Sequence, residues 1–371
     1  MQSLHDFPVM FKRIALLPGD GIGVNVIEAA KQVLIAVGKR NKQEFEFVKL
    51  DAGFDHFKKS GQALPKSTVD ALRDMGKLDN GKILALFGAV SSPSHKVQGY
   101  KSPIVQLRKL FNCYANIRPV KGVFNNKPFD MVIMRENTEC LYVQEEELLH
   151  DRAIAKRVIT RAATEKIARK SFEIAKLRTN KKQQKVSIIH KANVLSATDG
   201  LFRETCIKVG EEEFKAIKVG ATGWESAPLV YNEVLVDAAL YHMIRDPSQF
   251  DVLCCPNLYG DLLSDAGAGL VGSLGLIPSV NYSEFLIMGE PVHGSAPDID
   301  PKTANPVAAI LSAALMCRFA KIPNTPDLIE KSVAKAIANN ETTADCGGTL
   351  SCKEVTDKII SYAMEFSIID Q

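Results

Sequence analysis

Apolar and polar positions along this chain follow two alternating regimes. Short aliphatic runs are separated by stretches in which apolar side chains recur every three or four positions. Arg13-Ile14-Ala15-Leu16-Leu17 reads as a buried strand, and after a Pro-Gly turn Val26, Ala30, Val33 and Val37 fall on one helix face. Further strands are predicted at Ile83–Phe87, Met131–Met134, Val186–Ile189 and Asp251–Cys255. Ala163, Ile167, Ile174 and Leu177 mark another amphipathic helix, ended by the basic loop Arg178–Lys185, which reads as a solvated connection. This alternation predicts an α/β fold, with no internal repeat or low-complexity segment.

Length refines the picture. At roughly 100–200 residues per domain, 371 residues imply two domains and a sizeable core. A chain that is 46% hydrophobic and 24% charged has the composition of a globular protein. Lys+Arg 46 against Asp+Glu 43 leaves a net charge of +3, which points to neither nucleic acid nor an anionic membrane. The longest apolar stretch, Val307–Cys317, falls short of the ~20 residues a membrane span needs. None of the eight cysteines forms a CxxC pair, which argues against structural zinc and fits a reducing compartment. Met1–Met10 holds Asp6, no arginine and no long apolar core, so neither a secretory signal nor a transit peptide is expected there.

Several segments could carry chemistry. Leu17-Pro18-Gly19-Asp20-Gly21-Ile22-Gly23 joins strand to helix, but its third glycine comes one residue early for a dinucleotide-binding G-x-G-x-x-G, so a tight turn is the plainer reading. Arg108, Arg118 and Arg135 are read near strand ends, where guanidiniums can grip carboxylates bidentately, or as ordinary salt-bridge residues. Asp261 and Asp265 are four apart, on one helix face, and either hold Mg²⁺ or Mn²⁺ between them or are two solvated acids. Lys191 follows the strand Val186–Ile189, where desolvation could make it a base, or it is an ordinary strand exit. His293-Gly294-Ser295-Ala296-Pro297-Asp298 is a small-residue loop that exposes backbone N–H groups, or simply an irregular turn.

In order, the motifs LLPGDGIG, LRK, ANIRP, RENTE-x-LY (with Cys140 where an acidic residue or glycine is expected), HKAN, NLYGDLLSD, GEPVHGSAPDI and ANP resemble those of the β-decarboxylating dehydrogenases acting on isocitrate, 3-isopropylmalate, homoisocitrate and tartrate. The resemblance runs from Leu16 to about Gly348. It implies an isopropylmalate dehydrogenase-like two-domain α/β fold, not a Rossmann fold, with an inter-subunit clasp. It also implies a discontinuous cofactor-binding domain of residues 1–113 and 272–371, and a domain of residues 114–271 carrying the metal site and the clasp. Carried over, Arg108, Arg118 and Arg135 hold substrate carboxylates, with Ser92, Val105, Tyr142, Lys191 and Asn193 also at the substrate. Tyr142 and Lys191 are the catalytic acid and base, and Asp261 and Asp265 bind Mg²⁺ or Mn²⁺ with Asp237. Asp237, Lys191 and Asn193 are expected to reach across from a partner, so a homodimer or a multiple of it is implied. NAD would be held by Val90, Ser92, Asn193, Gly294, Ser295, Ala296, Pro297, Asp298 and Asn305. Asp298 favours it over NADP, because a carboxylate accepts ribose hydroxyls and repels a phosphate.

The segment Ser91–Arg108 resembles the homoisocitrate branch of that family, which serves lysine biosynthesis through α-aminoadipate; isocitrate and 3-isopropylmalate are the alternatives. A non-catalytic regulatory subunit of a heteromeric dehydrogenase is a remote alternative, since such chains lose residues like Tyr142 and Lys191, which are present here. The resemblance also favours the mitochondrial matrix; the alternative is the cytoplasm if the N-terminus is native, since no presequence is seen. Cys140, Cys346, the loop Asp300–Thr303 and the long stretch Lys215–Val230 depart from the family pattern.

Overall fold

The computed structural model describes residues 10–366 apart from Ser92, Ser94 and Lys96. Two compact units make up the chain. The first combines residues up to Gln106 with Gly275–Val280 and the chain from Glu284 onward; the second holds Leu107–Leu274 and Asn281–Ser283.

In the first unit, strand Met10–Gly19 lies between Gln43–Lys49 and Ile83–Ala89, and Leu286–Gly289 pairs with the latter, all parallel. Parallel neighbours need long crossovers, and the helix Gly23–Arg40 supplies the first. Its Val26, Ala30, Val33 and Val37 are fully buried, on the face their spacing predicted. Ile83–Ala89 is buried at every position, which explains an apolar run without alternation. The apolar stretch at Val307 is the buried helix Val307–Phe319, and no described helix is long and apolar enough to cross a membrane.

The glycine-rich turn is a packing device. A Cβ on Gly19 would stand 1.9 Å from the Ala89 carbonyl oxygen and one on Gly21 2.3 Å from that of Ser295, and both residues have positive φ. Between them, buried Asp20 accepts hydrogen bonds from the amides of Phe54 (2.7 Å), Asp55 (2.9 Å) and Ser91 (2.9 Å). One carboxylate thus ties the turn to the helix Phe54–Ser60 and to the segment that leads into the helix Pro103–Leu110. Tyr100 closes this corner: its hydroxyl donates to the Ser91 carbonyl at 3.2 Å, and its ring meets Phe54 and Phe57 edge-on.

The second unit begins with an antiparallel hairpin, Ala115–Phe124 with Lys127–Glu136. Asn125 and Asn126 both take positive φ in the two-residue loop, the geometry that matches strand twist. From Lys127–Glu136 the sheet continues in parallel through Val252–Cys255, Gln184–His190, Leu229–Leu235 and Ile217–Lys218. The last of these is an edge strand supplied by the long stretch Lys215–Val230, which Gln183 pins through the carbonyls of Trp224 and Ala227. An exposed two-stranded ribbon, Glu146–Leu148 with Ala153–Ala155, stands apart from this sheet.

Two local expectations need correction. Leu177 is 79% exposed, because the buried face of helix Arg161–Leu177 is Thr164, Ile167, Ala168, Ser171, Phe172 and Ala175 and ends two residues earlier. The basic loop is not merely solvated: Arg178 donates to Asp251 at 2.5 Å and to the Asp130 carbonyl at 2.7 Å, and Lys181 reaches that carbonyl at 2.6 Å. Gln184 and Lys185 already belong to the following strand.

Asp20→Asn replaces an acceptor for three amides by a group with one acceptor oxygen. It is expected to cost about 1–3 kcal/mol of stability, read as a lower urea midpoint at unchanged m-value. An unchanged midpoint would show that the corner does not depend on this carboxylate.

Candidate active site

Of the three arginines, only Arg135 lies at a strand's carboxyl end. Arg118 is inside Ala115–Phe124, and Arg108 is on the helix Pro103–Leu110, whose Pro103 fits the first helical turn. All three side chains are nonetheless buried. Asn116 and Arg135 face each other across the hairpin register. Arg118 Nε donates to Asn116 Oδ1 at 2.5 Å and its Nη1 to Ser264 Oγ at 2.5 Å. Arg135 Nε donates to Asn257 Oδ1 at 2.9 Å, and its Nη1 to Asp261. Asn281, in turn, accepts from Asn116 at 3.1 Å and from Asn137 at 2.9 Å. The asparagines of the ANIRP, RENTE and NLYGD segments therefore form the frame that holds the guanidiniums. Sequence reasoning missed that role, although Asn116 and Asn137 lie two residues from Arg118 and Arg135, and Asn257 four from Asp261.

Asp261 is the meeting point. It lies on the helix Asn257–Val271, accepts a hydrogen bond from the Tyr142 hydroxyl, and lies 3.4 Å from Arg118 Nη1. Burial pushes its carboxyl up, but Arg135 and Arg118, helped by Arg108, more than offset this and hold it below the ordinary value. Asp265, one turn further along the same face, is raised by burial and then by the charge of Asp261. An all-oxygen pair whose second member is disfavoured as an anion by its neighbour is the chemistry a hard divalent cation relieves, so the residues fit Mg²⁺ or Mn²⁺. Gly260 makes the approach possible: a Cβ there would meet Arg135 Cβ at 2.7 Å and Cγ at 2.8 Å. The Tyr142 ring stacks under the Arg135 guanidinium at 4.9 Å, and burial first of all raises its phenol, which therefore stays protonated near neutrality.

Asp237 does not join this pair. Among the described residues no group of three potential metal-ligating side chains forms. Asp237 begins the helix Val236–Arg245 and instead accepts from Lys191 Nζ at 2.6 Å. Asn193 is exposed beside them. The second unit thus carries two groupings, one around Asp261 and one around Lys191.

The expected cofactor residues lie in the first unit, except Asn193. Ser92 lies outside the described residues; Val90 and Val105 are half-buried. In the loop, Ser295 is buried and its carbonyl accepts from the Ile22 amide at 3.1 Å, Ala296 takes positive φ, and Gly294, Pro297 and Asp298 are exposed. Asn305 donates to Asp345 Oδ2 at 3.0 Å and to the Cys346 sulfur at 3.3 Å, which gives the departure at Cys346 a place beside this loop. His293 was not singled out as a ligand, yet its Nε2 is buried without a hydrogen-bond partner. Such an orphan costs about 1–3 kcal/mol unless a ligand meets it, and with the open backbone at Gly294 and the exposed Asp298 carboxylate it fits a polar nucleotide.

The departure at Cys140 has a conformational meaning. Its φ of 69° lies where glycine is at ease, while its amide donates to the Val158 carbonyl at 2.8 Å. Beside it, burial pushes Glu139 up to about 7, and both its oxygens accept from the Thr160 amide. These contacts hold the turn Leu141–Val143 that presents Tyr142. The loop Asp300–Thr303 closes on itself, Asp300 accepting from the Lys302 amide at 3.0 Å.

Arginines and a phenol gathered on an acidic pair, on a two-unit α/β frame, suit a small polyanionic substrate. The chain belongs to the isocitrate/isopropylmalate dehydrogenase family, whose model matches residues 13–359. Members of this family are β-decarboxylating dehydrogenases, metal-dependent and NAD(P)-using. The chain is 41% identical over 366 residues to a homoisocitrate dehydrogenase of Methanocaldococcus jannaschii, covering 94% of this chain and 97% of the relative. It is 39% identical to a 3-isopropylmalate dehydrogenase of Archaeoglobus fulgidus, over 94% of this chain and 99% of the relative. The crystal structure of an isocitrate dehydrogenase from Methylococcus capsulatus superposes with a TM-score of 0.82 at 32% identity, covering 95% of this chain and 99% of the other.

Gly260→Ala must push the metal helix and the Arg135 side chain apart. The expected cost is about 1–3 kcal/mol of stability, as for other overpacked sites, with kcat/KM for the hydroxy acid reduced by about tenfold or more. Wild-type melting temperature and kcat/KM in the variant would contradict the packing described.

Proposed function

We propose that this chain catalyses the oxidative decarboxylation of homoisocitrate to 2-oxoadipate with NAD⁺, in lysine formation through α-aminoadipate, and does so as a homodimer. In this reading the reaction takes place in the mitochondrial matrix. One observation carries the reading: the charges of Arg108, Arg118 and Arg135 all reach Asp261, which also receives the Tyr142 hydroxyl. A bound divalent cation on Asp261, Asp265 and a partner's Asp237 would polarise the substrate hydroxyl, and the nicotinamide would accept the hydride. The arginines hold the carboxylates and orient the carbon from which CO₂ leaves. Lys191 takes the hydroxyl proton during oxidation. Tyr142, kept protonated by its surroundings, delivers a proton to the carbon that CO₂ has left.

In this reading the first unit binds the nucleotide through Val90, Ser92, Gly294–Asp298 and Asn305, and the exposed Asp298 favours NAD⁺. Val105 stands one turn before Arg108 on the helix Pro103–Leu110, where it would meet the variable group of the substrate. Dimerisation is supported by the exposed apolar residues Leu240, Tyr241 and Ile244 on the helix that carries Asp237, and by Leu148 and Ile154 on the ribbon. It would also bring the Lys191–Asp237 grouping of one chain to the Asp261 grouping of the other.

Purified chain assayed with Mg²⁺ and NAD⁺ on homoisocitrate, isocitrate and 3-isopropylmalate should show its highest kcat/KM on homoisocitrate. A preference of about tenfold for either other acid would overturn the substrate assignment, and no turnover on any of them would favour a regulatory subunit.

The shared site has its own test. Lys191→Met and Tyr142→Phe should each be inactive alone. In a mixed dimer one site pairs a native Tyr142 with a native Lys191, so random mixing should restore about one quarter of wild-type activity. Mixed dimers that form yet stay inactive would refute the exchange of Lys191 between subunits.

A further inference from the structure

The turn that carries Lys191 is held by side chains that the reaction itself does not use. Two successive amides leaving the strand Gln184–His190 find side-chain acceptors: Lys191 N–H donates to Asp199 Oδ2 at 2.6 Å, and Ala192 N–H donates to His190 Nδ1 at 3.1 Å. Asp199 is fully buried in the first turn of the helix Thr198–Phe214. Its other oxygen, Oδ1, accepts from Arg157 Nη2 at 2.7 Å. The Arg157 guanidinium lies 4.5 Å from the centre of the Tyr259 ring, on the helix that also carries Asp261 and Asp265. In sequence, Arg157 stands two residues after the exposed ribbon strand Ala153–Ala155.

A buried ion pair is weak evidence of stabilisation, since apolar replacements of the same volume are often as stable. Its presence here calls for another account, and beyond Tyr259 its contact is the backbone of the lysine. We propose that Asp199, with Arg157 as its counter-charge, is a positioning residue that fixes the Lys191 backbone and so the reach of its ammonium group. The inference rests on Lys191 being the catalytic base. A lysine stem has four rotatable bonds, and an end-on ammonium is placed reproducibly only if its root is immobile. Asp199 supplies that fixed root because both its oxygens are already committed, one to the amide and one to a guanidinium, with the Tyr259 hydroxyl bonded to the same carboxylate. The guanidinium is held in turn against the Tyr259 ring, so the base and the metal helix take their positions from one buried cluster.

Asp199→Asn keeps the volume but turns one of the two contacts into an opposed pair of donors. Its kcat should fall by about 10–100-fold, as expected for a displacement near 1 Å, with KM for the hydroxy acid and for NAD⁺ changed by less than about twofold. Adding Arg157→Met to it should cost little more, because the two act as one unit. A kcat within about twofold of wild type would overturn the proposal, as would equal losses in every kinetic constant that track a lowered melting temperature.

Should Asp199→Asn fail to fold, Arg157→Met alone, followed by hydrogen exchange, gives a readout that needs no turnover. Amides of Lys191 and Ala192 should exchange at least about tenfold faster while the strand Gln184–His190 keeps its protection. Unchanged exchange at Lys191 overturns the proposal. Lys191→Met separates the inference from its premise: if it retains turnover, the base assignment fails. If it is inactive while Asp199→Asn is normal, only the positioning role fails.

Discussion

Arg135 carries a permanent positive charge with 2% of the residue exposed, and the second unit is arranged so that this charge can be tolerated. Isolated in the interior it would cost several kcal/mol or more. The helix Asn257–Val271 brings two acceptors to it, the Asn257 amide oxygen and the Asp261 carboxylate, and Gly260 between them leaves room for the approach. Arg118 is housed by the same helix through Ser264. The two guanidiniums then hold Asp261 ionised despite its burial, and that anion receives the Tyr142 hydroxyl. Each charge is present on condition of the others. Removing one member of such a set strands its partner at about 3–5 kcal/mol, so the residues that would grip a substrate are also those on which local packing depends.

The elements were legible where burial is one-sided or complete. The face Val26–Ala30–Val33–Val37 and the run Ile83–Phe87 show their periods directly, because one packs on a sheet and the other is covered on both sides. Leu177 misled because its spacing was right although it closes the helix, beyond Ala175, the last buried residue of its face. Arg108 was read near a strand end because Ile104-Val105-Gln106-Leu107, with three apolar residues in four, fits either period; Pro103 was the signal for a helix start.

The candidate site was legible in its identities and not in its contacts. The arginines, Tyr142, Lys191 and the aspartates could be named from motifs. What could not be read was that Arg118 leans on Ser264, that Arg157 meets Asp199, or that Asp20 gathers amides from Phe54 and Ser91. These pairings join residues far apart in sequence, and only the sheet register and helix packing bring them together. The pairing of Asp237 with Lys191 was out of reach for the same reason, since helical spacing speaks only for residues on one helix.

The first unit is built from both ends of the chain, and this has a consequence for the order of events during synthesis. Helix Gly23–Arg40, made early, is completed by Cys352–Glu365, made last: Arg40 donates to the Ala363 carbonyl at 2.5 Å. The second unit, almost all of it in Leu107–Leu274, has left the ribosome long before. At roughly 5–20 residues per second, the 323 residues from Arg40 to Ala363 take about 16–65 s, during which the side of the early helix that meets Cys352–Glu365 stays uncovered while the later unit folds. The nascent chain therefore completes its middle before its beginning, and the interval in which it most needs protection is set by the distance between Arg40 and Ala363.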